Sequence, residues 1–189
     1  MSPAVEPCLP GLAPRDRDGL FYSIFPDPLA AVRIANVARH FRSAFGLKGV
    51  PLWTDRFHVT IHGFGAFDGL PRTVVDKAIE AGTSVAARPF VVAFDRVTSF
   101  AGSDVLVLCG GDGVDGLMMF HHALGAVMQK AGLAMSPHFT PHITLLYDSH
   151  RIEQHFIEPI CWTVRDFVLV HSLVGLTKHI PLQRWQLRG

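Results

Sequence analysis

The chain has 189 residues, enough for one domain, or one domain of two lobes, with a proper buried core. With 49% hydrophobic and 17% charged residues it is too apolar to be disordered, and a formal net charge of +1 gives no sign of a broad electrostatic grip on long nucleic acid, though it leaves room for a small basic cleft. Cys8, Cys109 and Cys161 lie far apart with no C-x-x-C pair, which argues against a disulfide framework or zinc ribbon and fits a reducing cytoplasm.

Residues 1–18 are rich in Pro and lack the apolar stretch of a secretory signal, so they read as a flexible arm before a single bilobal domain over 19–189. No apolar run approaches the roughly 18 to 20 residues needed to span a bilayer. "LFYSIFP" (20–26) is a β-rich run stopped by Pro26. Asp27-Pro28 supplies an N-cap and a first-turn proline, and Ile34, Val37, Ala38, Phe41 and Phe45 then recur at helical spacing up to Gly46. "FHVTIHGFG" (57–65) reads as a strand that runs into a glycine loop. A helix over about 71–87 follows, then "RPFVVAFDRVTSFAG" as strand and turn, and "DVLVLCG" (104–110) as a short buried strand. "GGDG" (110–113) is a turn, because the Gly-Lys-Ser/Thr ending of a phosphate loop is missing. Leu117, Phe120, Leu124 and Val127 form the apolar stripe of a helix over about 115–131. After a loop with Pro137 and Pro141, "FTPHITLLYD" (139–148) is a second strand, and "WTVRDFVLVHSLVG" and "IPLQRWQLR" close the chain as further strands.

The two strands "FHVTIHGFG" and "FTPHITLLYD" share a His-x-Thr pattern. Residues i and i+2 of a strand point the same way, so His58 and Thr60 share a face, with His62 beside them and Val59 and Ile61 behind. His142 and Thr144 do the same, backed by Ile143 and Leu145. One such match has about even odds of arising by chance in a chain with 11 histidines, so the pair is what carries weight. Opening a cyclic phosphodiester in water needs a base for the attacking water and an acid for the departing ribose oxygen. Imidazole serves both roles near neutrality, and threonine hydroxyls can donate to the non-bridging phosphate oxygens. In-line displacement sets acid and base on opposite sides of phosphorus, which two similar strands facing each other across a cleft would provide.

These two segments resemble the paired motifs of the two-histidine phosphoesterase superfamily, in its bacterial 2′-5′ RNA ligase or LigT-like branch. "LFYSIFPDP" followed by a helix resembles that branch's start. The resemblance implies an α+β fold, bilobal and pseudo-symmetric, with antiparallel sheets flanked by helices around a central cleft. It also implies hydrolysis of RNA 2′,3′-cyclic phosphates, usually to the 2′-phosphate, with no metal and no other cofactor, and in some members reversible 2′-5′ ligation. Carried over by position, His58 and His142 are the acid/base pair, and Thr60 and Thr144 hold the phosphate. The implied partner is an RNA end or nucleotide bearing a 2′,3′-cyclic phosphate, handled by a cytoplasmic monomer away from any membrane.

One position departs from the pattern. Many members carry arginine two residues after the second motif, where this chain has Tyr147, which offers a neutral hydrogen bond or a stacking face. Arg56, or another basic residue nearby in space, would compensate. Tyr22, His62 and Tyr147 are the further candidates for contact with substrate. His121 and His122 read as a solvated helix face, His138 as a loop position, and Ser172 as a strand-end residue within reach of the cleft. No His-x-x-x-His with a carboxylate and no Cys/His cluster appears, so a zinc hydrolase is a weak rival. A module on the same fold that binds a nucleotide or RNA end without turnover is the stronger one, kept open by Tyr147.

Overall fold

The computed structural model describes residues 18–100, 102–173, 176 and 178–188. The first sheet is built from β1 (Asp18–Ile24), β2 (Val59–Phe67), β7 (Asp166–Leu173) and β8 (Lys178–Gln186), in the order β2-β1-β7-β8. The second uses β3 (Phe90–Ser99), β4 (Val105–Cys109), β5 (His142–Tyr147) and β6 (His155–Val164), in the order β5-β4-β3-β6. Every neighbouring pair is antiparallel. Each His-x-Thr segment thus lies on the outermost strand of its own sheet, and those two strands approach one another.

Among the described residues three α-helices cover the sheets: α1 (Pro28–Ala44), α2 (Arg72–Ser84) and α3 (Asp115–Lys130). The Asp27 side chain accepts from Ala30 N at 2.8 Å and Pro28 opens the first turn, which fixes where α1 starts. Buried Ile34, Ala38 and Phe41 turn α1 toward the second sheet, where it packs on β5 and β6. Each large apolar side chain buried this way contributes about 1.5–3 kcal/mol. Helix α2 lies on β7 and β8, with Gly82 against the Trp185 ring; a Cβ there would sit 2.7 Å from the indole. Helix α3 contacts α2, β3 and β2.

The α+β class and the antiparallel sheets agree with the sequence reading, and the helices fall within a few residues of their expected spans. Residues 1–17 of the expected arm lie outside the described residues, and Asp18 opens β1 instead of closing the arm. "WTVRDFVLVHSLVG" divides at Arg165 between the end of β6 and β7, and β6 begins at His155, in a stretch given no element from sequence. Pro159 conceals that strand. It is tolerated because it falls where the register of β6 on β3 shifts, between Ile160 opposite Phe94 and Phe156 opposite Arg96, so its missing N–H breaks no regular ladder. Pro181 on β8 is accommodated in the same way on the outer strand of the first sheet.

Candidate functional site

The two motif strands share an irregularity. Along β1 and β2, Ser23 pairs with Thr60 and Tyr22 with His62, leaving Ile61 without a partner. Along β4 and β5, Val107 pairs with Thr144 and Leu106 with Leu146, leaving Leu145 over. Each strand therefore carries a β-bulge directly after its threonine, which resets the alternation of faces. The residue after each bulge turns to the helix side, and His62 and Leu146 are 2% and 0% exposed.

That reset corrects two expected contacts. His62 does not share the face of His58 and Thr60. Its Nε2–H donates to the His121 carbonyl at 2.9 Å, and its ring stacks on His121 at 4.1 Å. His121, expected on a solvated face, is itself buried and stacks on Phe139 at 4.4 Å. Burial holds both imidazoles below the ordinary histidine value, His121 at about 4, so they pack as neutral rings. Tyr22, the sheet partner of His62, goes to the same side. Its hydroxyl donates to the Ala78 carbonyl of α2, and its ring lies among Phe64, Phe167 and Trp185. Burial raises its phenol pKa, and no part of it reaches the cleft. His122 and His138 are exposed.

His58 and His142 are held alike. His58 Nδ1 lies 2.8 Å from the Arg56 carbonyl, and His142 Nδ1 lies 2.8 Å from the Thr140 carbonyl, two residues back in each case. A carbonyl only accepts, so Nδ1 carries the proton in both rings. Nε2 is left as the working nitrogen, a lone pair when neutral and a donor when charged. A phenylalanine braces each ring: Phe21 stacks on His58 at 5.2 Å, and Phe100 meets His142 edge-on at 4.7 Å. The pKa of His58 is lowered, first by burial and then by the charges of Arg56 and His142, against the opposing pull of its carbonyl bond. Near neutrality His58 is a free base.

A cavity of about 590 Å³ opens between the two edges, within the range of small-molecule sites. His58 from one motif and Thr144 from the other line it, with Arg56, Tyr147, Ser172 and His179. Thr60 and His142 are half-buried on the same two motif segments, and His142 is near enough for its charge to act on His58. At the mouth, Tyr147 is 62% exposed and Trp53 80%. The loop bearing Trp53 is laced to β5. Leu52 N donates to Leu145 O at 2.8 Å, and Lys48 N and Gly49 N donate to Asp148 Oδ2 at 2.6 and 2.7 Å. Gly49 is required there, since a Cβ would fall 2.1 Å from Tyr147 O.

Sequence reasoning missed Trp53 and His179. A tryptophan in the polar loop "PLWTDR" just before the motif was a usable signal. His179 had none; it enters because β8 sets it beside Ser172 of β7. Its Nε2 lies 3.2 Å from an Arg56 guanidinium nitrogen, and its ring is 5.0 Å from that of His58. Among the described residues, no three His, Cys, Asp or Glu side chains are grouped as metal ligands.

A family model for the 2′-5′ RNA ligase superfamily matches residues 21–175. Escherichia coli LigT complexed with 3′-AMP has the same fold, with a TM-score of 0.68 at 23% identity over 92% of this chain and 99% of that one. A protein of Thermus thermophilus matches with a TM-score of 0.70 at 22% identity over 90% and 98%. A solved phosphoesterase matches with a TM-score of 0.68 at 26% identity, over 92% and 99%. No curated protein matches the sequence.

Proposed function

The chain belongs to the 2′-5′ RNA ligase superfamily, and on that premise we propose that it is a phosphodiesterase that opens 2′,3′-cyclic phosphates on RNA ends or nucleotides. The observation that carries this reading is the matched anchoring of His58 and His142, each with Nδ1 on the carbonyl two residues back and Nε2 left for chemistry.

His58, with its lowered pKa, acts as the base. Its Nε2 takes a proton from water as the water oxygen bonds to phosphorus. The bond from phosphorus to the 3′ oxygen breaks, and His142 Nε2–H delivers its proton to that oxygen, leaving a 2′-phosphate. Solvent then returns both rings to their starting states. Thr60 and Thr144 donate to the non-bridging oxygens, where negative charge concentrates in the transition state. A 5′-hydroxyl replacing the water gives a 2′-5′ linkage, and cleavage of that linkage exchanges the two histidine roles. Tyr147 and Trp53 offer ring faces on which a base can stack at the cleft mouth. The presence of 3′-AMP in E. coli LigT supports a nucleotide occupant.

Phosphorus NMR of an oligonucleotide ending in a 2′,3′-cyclic phosphate tests the reading, run in EDTA beside a His58→Ala/His142→Ala double variant. A 2′-phosphomonoester appearing with the wild type alone is the expected result. An unchanged cyclic phosphate whose resonance broadens on adding protein identifies a binding module instead, the reading favoured by Tyr147 at the usual arginine position.

A further inference from the structure

We propose that Arg56, presented by His179, is the cation that binds the reacting phosphate and that it places the anion on the His58 side of the cleft. The proposal rests on the reading of this cleft as a phosphodiester site. Among the described residues, Arg56 is the one Lys or Arg lining the cavity. Among the described residues it forms no ion pair, and its hydrogen-bond partner is His179 Nε2, at 3.2 Å.

The nature of that partner is informative. A guanidinium only donates, so His179 must offer a lone pair at Nε2 and be neutral, with its proton on Nδ1. Burial, His58 and Arg56 together hold its pKa at about 4, in keeping with this. A neutral acceptor aims the guanidinium without cancelling its charge. Arg96 and Arg184 are paired with carboxylates, Asp95 and Asp166, and those charges are already answered; Arg33 and Arg39 meet neutral acceptors, Pro159 O and Asn36 Oδ1, but neither lines the cavity. At Arg56 the charge is left to be answered by a ligand.

The placement suits the reacting phosphate. The Arg56 carbonyl holds His58 Nδ1, its guanidinium meets His179, and the His179 ring lies 5.0 Å from that of His58. Base, cation and acceptor form one cluster on the cleft face of the first sheet. Ser172, paired with His179 across β7 and β8, lines the same wall. The corresponding position before His142 is Thr140, which carries no charge. Arg56 presents a planar fork of five N–H groups, and one nitrogen is engaged by His179, leaving the remainder for phosphate oxygens.

Calorimetric titration of the full chain with inorganic phosphate tests this. Arg56→Gln is expected to weaken binding about tenfold to a hundredfold, and Arg56→Lys by less. His179→Gln keeps an acceptor and stays within about threefold of wild type, while His179→Leu loses about fivefold or more, both with an unchanged melting temperature. Phosphate binding that is absent in wild type, or equal in wild type and Arg56→Gln, overturns the proposal. Equal losses in the two His179 variants, accompanied by a fall in melting temperature, overturn the positioning role. Arg56-dependent phosphate binding by a protein that leaves cyclic phosphates intact upholds the proposal and sinks the cyclic phosphodiesterase reading. Turnover with Arg56-independent phosphate binding does the reverse.

Discussion

The neighbourhoods of His58 and His142 share a backbone and differ in chemistry. In each, the carbonyl two residues back takes Nδ1, a threonine follows at the second position, and a bulge comes directly after that threonine. Around His58 stand the Arg56 cation, whose carbonyl holds Nδ1, the His179 imidazole and the Phe21 ring, and Thr60 pairs with Ser23. Around His142 stand Thr140, Phe100 and Val107, which pairs with Thr144. A pseudo-symmetric fold can thus supply two equivalent platforms while the side chains make the platforms unequal. Direction in an acid/base pair comes from that inequality.

The largest test removes one platform at a time. His58→Ala and His142→Ala should each cut the initial rate of cyclic phosphate opening by about a hundredfold to ten-thousandfold, with circular dichroism unchanged. Full activity in either variant breaks the pairing. The next probe is the acid limb of the pH profile of kcat/KM. His58 works as a neutral base with a lowered pKa, so activity should persist below the ordinary histidine value before falling. Arg56→Gln removes a nearby positive charge that lowers this pKa, and should move the limb to higher pH. A limb that does not move separates Arg56 from the base.

Smaller effects belong to the cleft mouth. Trp53→Ala should raise KM for a nucleoside 2′,3′-cyclic phosphate about five- to tenfold with kcat unchanged, as expected for a lost stacking face. Tyr147→Arg places a charge on the His142 side and should tighten inorganic phosphate severalfold, narrowing the difference between the platforms. The smallest effect is on stability. His121 is buried neutral with a pKa of about 4, so between the ordinary histidine value and that point the unfolded chain binds the extra proton. Stability therefore falls as pH drops through this window, and His121→Phe should flatten the fall in thermal melts at pH 7 and pH 5.

The polar pair on an apolar strand was legible because period two needs no partner to be seen, and α1 was legible from Asp27, Pro28 and one apolar stripe. The placement of Tyr22 and His62 was not. A bulge at Ile61 is a property of how β2 registers with β1, and alternation counted along one strand runs straight through it. His179 lies far beyond His58 in sequence and reaches it only through the pairing of β7 and β8. The strand around Pro159 was hidden because residue preference says nothing of where a strand's register on its neighbour shifts.

The lacing of the Trp53 loop onto β5 has a consequence away from catalysis. An outermost strand presents unpaired backbone groups to any other chain that offers a strand of its own. The Leu52 N–H answers one such group at the Leu145 carbonyl, and Asp148 fixes the loop beside it. The loop thus hems an open sheet margin, and Leu52→Pro, which removes the donor, should make the protein more prone to self-associate through that margin, visible as larger species in light scattering.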